Sequence, residues 1–472
     1  MALQTMAALA KLISDSVAKI ESHCTEKGVH FPTLDEPFTP ESEKPRLDPL
    51  VIEAASIISS AAAQLTALVT PAPLQLLNAT FQFHIPAAFR VAIETNVVEI
   101  LREAGPQGLH INEIAAINQT DPGKLGRVLR LLATDHIFTE VSPDVFANNR
   151  ISSVADTSKP VADILAKPKE KYDGTTGMAA AISHIGDEFF KSSAYLAETF
   201  CNPEYAQSYA SNKTALNLAF KTDLEFFSWI ETPGNEDRLR KFGTAMSVLT
   251  KMSPPGAILS GYDWQDLPAG SVVVDVGAGV GSQSLPIAKA FPHLKLVVED
   301  RPAVISRAKE FWDAELPEAL PSGRVVFQEQ DFFADQKIQQ PAVFFIRSTL
   351  HDWPDADCIK ILTKLRAAAG PQTQLLLIEM LVSHACPDTT AAAQGVPGST
   401  VAAPPAPLLA NLGHANLQGY FADLTMLVGY NGEERTLAKF SELLAASGWK
   451  LKSVRGRSLS SLARPHLLAV PV

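Results

Sequence analysis

The chain predicts an α/β fold: a doubly wound parallel sheet with an added C-terminal hairpin, preceded by a helical extension and a small unit of winged-helix outline. Three observations carry this. From Gly270 onward, β-branched runs alternate with amphipathic stretches, the order that builds a parallel sheet with helices on both faces. A glycine-rich turn directly follows the first of those runs, at Gly277, Gly279 and Gly281. The region before Phe89 is apolar at helical spacing and contains few strand signals.

Length and charge set the outer bounds. At 472 residues the chain exceeds one compact core, and 46% hydrophobic content leaves ample material for several. The formal net charge of −11 argues against a phosphate-binding surface, so nucleic acid is an unexpected partner. Cys24, Cys201, Cys358 and Cys386 are scattered without metal-ligand spacing. Reduced thiols in a cytoplasmic protein account for them, and no metal site is expected. The expected divisions are a helical extension with linker over 1–80, a winged-helix-like unit over 81–165, a helical connector over 166–255 and a catalytic α/β domain over 256–472.

Taken in order, the first stretch reads as an amphipathic helix. Lys11 and Asp15 interrupt its apolar run, which excludes a secretory signal, while Leu9, Leu12, Ile13 and Val17 recur at helical spacing. A Pro-rich, charged linker is expected from Phe31 to Asp48. Between Ala54 and Phe89 there is no Asp, Glu, Lys or Arg. Ser, Gln and Thr dilute this stretch and Pro71 and Pro73 break it, so a helix covered by another subunit or domain is expected in place of a membrane span.

Residues from about Phe89 to Ser153 read as three helices and a hairpin. Val91, Val97, Val98 and Leu101 are expected on one helical face, and VFANNRIS supplies a second strand. Lys124, Arg127 and Arg130 sit in an acidic chain, which favours dimerisation over DNA binding. The central region, about Ala162 to Ser253, is helical and aromatic, with Phe189, Phe190, Tyr195, Phe200, Phe220, Phe226, Phe227 and Trp229. Leu239, Phe242, Met246 and Leu249 fall on one stripe. Most of these residues are expected in core, with Phe227 and Met246 as candidates for lining a pocket for a planar ligand.

The strand SVVVDV carries Asp275 and runs into the glycine turn, with SLPIAKAF as the following helix. This strand–turn–helix can bring bare backbone against a nucleotide. Its pattern is G-x-G-x-G, with Ser282 where a dinucleotide fingerprint has glycine or alanine, which disfavours NAD. The next strand, LKLVVED, ends in Glu299 and Asp300, where a carboxylate can accept from both ribose hydroxyls. Past the strand AVFFIRS lies STLHDWPD, which places His351 beyond the carboxyl edge of the sheet, where such sheets bind their ligands. An imidazole there can take a proton, and Glu379 or Glu434 can orient its other nitrogen. Asp352 suits the cap of the helix beginning near Pro354, and is also a candidate to face the substrate.

These motifs together carry a resemblance. DVGAGVG, VVEDRP, QEQDFF, FIRSTLHDWPD, LLLIEM and NGEERT stand in the order found in the S-adenosylmethionine-dependent O-methyltransferases of the plant caffeate and flavonoid type, which include fungal enzymes acting on aromatic polyketides. The likeness runs from about Phe89 to the C-terminus. It implies a Rossmann-like sheet and S-adenosylmethionine as cofactor, with Gly277 and Ala278 near the methionine part, Asp300 at the ribose, Gln330 and Asp331 around the adenine, and Asp275, Gly279 and Phe332 also in the cofactor site. Arg347 stands where the family usually has lysine. His351 matches the family base, flanked by Glu379 and Glu434. The resemblance also implies a homodimer formed through the N-terminal winged helix and a small aromatic hydroxyl acceptor. Cys386 to Tyr420 is longer than the family's usual connection and is expected as a mobile surface loop. The alternatives are a nicotinamide-dependent oxidoreductase, disfavoured by Ser282 and the hairpin, and a catalytically silent cofactor-binding regulator, disfavoured by the intact His351, Glu379 and Glu434.

Overall fold

A computed structural model describes residues 2–251, 256–388, 395–460 and 463–472. The chain divides into two compact units, Met1–Cys201 with Ala215–Met252, and Asn202–Thr214 with Ser253–Val472.

The first unit begins with the helix Ala2–Lys27, which packs along a second helix, Pro49–Val69. Between them the expected linker is partly ordered. Pro40–Glu43 forms a helical turn capped by Thr39, and Lys44–Leu47 a 3-10 turn. It is also tied down at a distance. Arg150 N–H donates to Leu34 O at 2.7 Å, its guanidinium pairs with Glu43, and Phe38 N–H donates to Ser153 Oγ at 2.8 Å.

The uncharged stretch forms three helices where one was expected. Pro49–Val69 is long and apolar enough to cross a membrane by length and composition. Ala72–Phe81 has no buried residue, and Leu76 and Phe81 are 69% and 55% exposed within the single chain. His84–Glu94 then enters the core. The chain turns sharply at Asn96, in the left-handed region at φ 59°, before Val97–Ala104. That break separates Val91, which is exposed, from Val97, Val98 and Leu101, which are buried. A continuous 3.6-residue pattern read across the turn therefore misplaced Val91.

Ile111–Asn118 and Pro122–Thr134 complete the helical unit, and β1 (Leu109–His110), β2 (Phe138–Ser142) and β3 (Val145–Asn148) form a small sheet in the order β1-β3-β2. Ile93, Val97, Leu101, Ile114, Leu129, Leu132, Phe138 and Phe146 share one core. Further on, Met178–His184 runs into a π-helical turn, Ile185–Phe189. The wider turn brings Asp187 and Glu188 inward together, where they meet Arg90, Lys191, Arg238 and Lys241. Sequence pattern gave no sign of this buried ion network, since its members come from three separate helices.

Phe189, Phe226 and Phe242 pack around the His184 ring, as core aromatics should. Tyr195 and Phe200 are exposed instead. On the helix Glu236–Lys251, Leu239, Phe242 and Met246 are partly buried, whereas Ala245 and Val248 lie deepest, so the buried stripe is rotated from the expected one. The side chain of Leu249 lies outside the described residues.

The second unit is built on a seven-stranded sheet in the order β6-β5-β4-β7-β8-β10-β9. Its strands are β4 (Val272–Val276), β5 (Lys295–Asp300), β6 (Val325–Glu329), β7 (Val343–Arg347), β8 (Gln374–Ile378), β9 (Trp449–Arg455) and β10 (His466–Pro471). β4 to β8 run parallel, and β10 joins β8 and β9 antiparallel, which is the expected sheet with its hairpin. Both faces are buried. Phe344, Ile346, Leu375 and Leu377 face the helices Asp355–Ala368 and Leu437–Ala446, while Val343, Phe345, Leu376 and Ile378 face Trp264, Trp312 and Ser284–Ala290. Continuous apolar runs result, as two-sided burial requires.

The segment over 386–420, expected as a surface loop, is irregular over most of its described length and is packed in places. Residues 389–394 lie outside the described residues. From Gly395 the chain is packed: Val454 N–H donates to Pro397 O at 2.9 Å, and a Cβ on Gly398 would lie 1.8 Å from Val454 O. Ser399, Asn411 and Asn416 are buried, and Asn411 Nδ2 donates to Tyr420 Oη at 2.6 Å. Ala, Pro and Gly content signalled absence of regular structure here, and not absence of packing.

Candidate functional site

All the predicted cofactor and catalytic residues sit at the carboxyl end of the parallel strands in the second unit. The chain leaves each strand for its crossover helix at that end, and open α/β sheets bind their ligands there. Gly277, Gly279 and Gly281 take φ values of +68°, +59° and +73°, which explains three glycines in five residues. A Cβ on Gly277 would lie 2.9 Å from Thr349 Cγ2, and one on Gly281 2.8 Å from Trp312 Nε1. At Gly279 a Cβ would meet nothing within 4 Å. The turn is therefore packed on both shoulders and open at its middle.

Asp300, at the tip of β5, anchors the turn by accepting from Gly279 N–H and Arg301 N–H, each at 2.7 Å. Glu299 differs from its neighbour: it is buried, and Gln328 and Gln336 donate to its two oxygens. Of the two acids that end LKLVVED, Asp300 is thus the one facing the turn. Burial pushes the carboxyl of Asp300 upward and that of Glu299 to about 7. Asp275, also buried, accepts from Ser284 Oγ at 2.7 Å, and burial drives its carboxyl up to about 8. Its contact with Ser284 pins the helix to the strand.

Gln330 lies after β6, its amide nitrogen donating to Asp331 O at 2.9 Å and Asp335 O at 3.1 Å. Its Oε1 is buried without a hydrogen-bond partner among the described residues. Such an orphan acceptor is costly unless a donor arrives from a ligand. Asp331 turns the chain by accepting from Phe333 N–H at 2.9 Å, and Phe332 and Phe333 pack edge-on to Trp353.

Opposite the turn, His351 sits in the 3-10 turn Leu350–Asp352. Its Nδ1 stands 2.7 Å from Glu434 Oε1. A carboxylate only accepts, so Nδ1 carries the proton and Nε2 is left for a second partner. Nε2 faces Asp352 Oδ1 at 3.6 Å. Glu379 holds the loop by another route: its Oε1 accepts from Thr349 N–H at 3.1 Å and Leu350 N–H at 3.0 Å. Burial alone pulls the imidazole down, but the carboxylates of Glu434, Asp352 and Glu379 outweigh it and raise His351 to about 10. Burial lifts Asp352 to about 7 and raises Glu379 as well.

Asp352 does not cap the next helix. Asp355–Ala368 is preceded by Pro354, with no side-chain cap, because Asp352 is drawn inward against His351. Phe227 and Met246, the other candidates for an acceptor pocket, belong to the first unit. Phe227 packs edge-on to Phe226, and Met246 lies against a small alanine-rich cluster. Arg347 ends β7 beside Ser348 and Thr349, and burial followed by the nearby charge of Arg464 lowers its guanidinium to about 10.

Sequence reasoning missed the residues that hold this loop in place. Arg435, fully buried, donates to Leu350 O at 2.9 Å and Trp353 O at 2.6 Å and pairs with Asp355. Gly432 is required by space: a Cβ there would lie 2.0 Å from His351 O. Asp423 accepts from Glu434 N–H at 2.9 Å and fixes the acid that orients His351. The motif NGEERT holds two of these three, and its arginine was the available signal.

Comparison with known proteins bears on this arrangement. A dimerisation domain of O-methyltransferases matches residues 77–158, and an O-methyltransferase domain matches residues 219–404. An O-methyltransferase of Armillaria gallica is 46% identical over 98% of this chain and 98% of its own length. The chain belongs to the O-methyltransferase family. A 4-O-methyltransferase of Phanerochaete chrysosporium is 41% identical, covering 94% of each chain. Among solved structures, mitomycin 7-O-methyltransferase superposes with a TM-score of 0.61 at 23% identity, over 87% of this chain and 98% of that one. LepI in complex with SAM gives 0.69 at 16% identity, over 91% and 97%. A structure described as a pericyclic reaction enzyme gives 0.66 at 16% identity, over 89% and 94%. These likenesses establish the fold, a Rossmann-like methyltransferase sheet, and leave the chemistry to the site.

Proposed function

We propose that this O-methyltransferase moves the methyl group of S-adenosylmethionine to a hydroxyl of a small aromatic acceptor, with His351 as general base. The observation that carries the proposal is the pairing of His351 Nδ1 with Glu434 at 2.7 Å, which fixes the tautomer and aims Nε2 at whatever binds beside Asp352. Bound S-adenosylmethionine supplies an electrophilic methyl on a sulfonium. The chain's own work is to hold the cofactor, place the acceptor oxygen and receive its proton.

The residues present suit that cofactor. Gly279 offers open backbone, Asp300 keeps lone pairs for the ribose hydroxyls, and the orphan Gln330 Oε1 matches an adenine amino group. Gly277, Ala278, Asp331, Phe332 and Arg347 surround the same edge.

Proton removal is needed because a phenol with a pKa near 10, like that of tyrosine, is only about 0.1% ionised at neutral pH. His351, raised to about 10, is matched to such a phenol, so the proton moves between groups of similar affinity. In the free protein the ring is an imidazolium at pH 7. Acceptor binding in the reactive state thus requires loss of one proton, from the ring or from the phenol. Asp352 beside Nε2 is placed to take a hydrogen bond from the acceptor as it enters.

A second copy of the chain is the proposed partner. The dimerisation match begins at residue 77, inside the helix Ala72–Phe81, whose leucines and phenylalanine are exposed in the single chain. We retain the division at about 80, 165 and 255 as the working domain plan. Incubation with methyl-labelled S-adenosylmethionine and a panel of phenols tests the function: label in an aryl methyl ether is expected. Tight binding of S-adenosylhomocysteine with no transfer to any phenol would contradict it.

A further inference from the structure

The N-terminal part of the first unit carries two apolar features that the single chain leaves uncovered. One is an open groove of about 880 Å³ between the helices Ala2–Lys27 and Pro49–Val69. Val17 and Ile20 line it from the first helix, Ala55 and Ile58 from the second, and Val29 and Phe31 from the segment that follows the first helix. Val17, Val29 and Phe31 are exposed there. The other feature is the helix Ala72–Phe81, none of whose residues is buried. Leu74, Leu77 and Phe81 recur at i, i+3 and i+7, so they share one face, and each is about half exposed.

Helix and groove are complementary. An apolar ridge at that spacing is what a groove between two helices receives. In the single chain the ridge lies outside the groove, since none of its residues is buried and none lines it. Position identifies the occupant. The match to a dimerisation domain begins at residue 77, inside this helix, so the ridge is continuous with the part of the chain already assigned to pairing. The groove is built from residues 17–59, which precede that match. A lipid surface suits the helix less well. An interfacial helix presents Lys or Arg beside its apolar face, and Ala72–Phe81 has neither. Ten residues of helix span only about 15 Å, too short to cross a bilayer.

We propose that the N-terminal extension is a docking arm whose groove receives the helix Ala72–Phe81 of a second copy of this chain. The exchange is reciprocal, so that one closed dimer fills both grooves. The inference rests on the homodimer reading above.

The test uses the full-length chain and two variants at exposed positions, Leu77→Lys on the helix and Ala55→Glu in the groove, with association followed by sedimentation over a dilution series. Each variant alone places a charge in an apolar contact and should raise the dimer dissociation constant by roughly tenfold or more. Mixing the two variants distinguishes this docking from a general loss of association. A mixed pair has one contact intact and a second in which the introduced charges are opposite, so dimer should reappear, with a dissociation constant roughly tenfold or more below that of either variant alone. Only folded chains can recover in this way, which guards against a folding defect. A wild-type dimer indifferent to both substitutions, or no recovery on mixing, overturns the docking arm. Flotation of the wild type with vesicles of phosphatidylcholine and phosphatidylserine, abolished by Leu77→Lys, would assign the ridge to lipid and overturn it as well. A wild type that stays monomeric at every concentration would refute the homodimer reading itself, a result distinct from failure of the helix and groove.

Discussion

The glycine turn and the His351 loop occupy the same edge of one sheet but are secured in opposite ways. The turn is local. Its glycines, Ser284 and Asp300 lie within about one strand–turn–helix–strand unit, and backbone N–H groups do most of the fixing. The His351 loop depends on residues some eighty positions later: Glu434 orients the ring, Arg435 ties down Leu350 and Trp353, and Gly432 leaves room for the His351 carbonyl. A turn can thus be secured within one short segment, whereas the His351–Glu434 pair needs the C-terminal part of the fold to have closed.

That contrast can be broken from the proton side first. His351→Ala should lower kcat by about 10²- to 10⁴-fold while leaving S-adenosylhomocysteine affinity unchanged, as read by steady-state rates and calorimetry. Parallel loss of affinity would mean that the two sides are not separate. Asp300→Ala should do the reverse, weakening S-adenosylhomocysteine binding by roughly tenfold or more, because it removes the anchor of Gly279 together with the carboxylate proposed to meet the ribose. Retained affinity there would remove Asp300 from the cofactor site.

Arg435→Met tests whether the distant anchor matters for stability as well as position. Taking away the buried guanidinium, which donates to the carbonyls of Leu350, Glu433 and Trp353 and pairs with the more exposed Asp355, is expected to cost about 2–3 kcal/mol, measured by chemical denaturation. A change within about 0.5 kcal/mol would show that the loop is held by other means.

The sign of the pH dependence sharpens the comparison further. His351 is raised to about 10 by its carboxylates, and the reactive complex carries one proton fewer than the free protein with a neutral phenol. kcat/KM should therefore rise with pH from about 7 and pass through a maximum near 10, above which the second proton is lost as well. Glu434→Gln removes the largest of the raising charges, so the rise should shift to lower pH while the maximal rate falls. An unshifted profile would disconnect Glu434 from the titrating group.

How much of this was legible in the sequence follows from the same local–distant difference. The strands of the sheet, the turn and Asp300 could be placed because each is written in consecutive residues with a definite period. His351 could be placed only at the strand's end, and its partners were two candidates of equal standing until geometry gave Glu434 the ring and Glu379 the backbone N–H groups of Thr349 and Leu350. Asp352 read as a cap because local sequence favoured it, yet its carboxyl turns to the ring of its neighbour His351. Val91 failed for a similar reason: one residue at positive φ, Asn96, resets the helical phase. The ion network around Asp187 and Glu188 was not legible because Arg90, Arg238 and Lys241 arrive from other helices, and only Lys191 is local.

The most direct test of the central claim is single-turnover methyl transfer by wild type and His351→Ala across phenols of graded acidity, with saturating cofactor. If His351 takes the acceptor's proton, the mutational loss should be greatest for phenols of pKa near 10 and shrink towards unity for those near 7, which are already about half ionised at neutral pH. A loss of constant size across the series would contradict proton transfer to His351 and leave the ring with a positioning role alone.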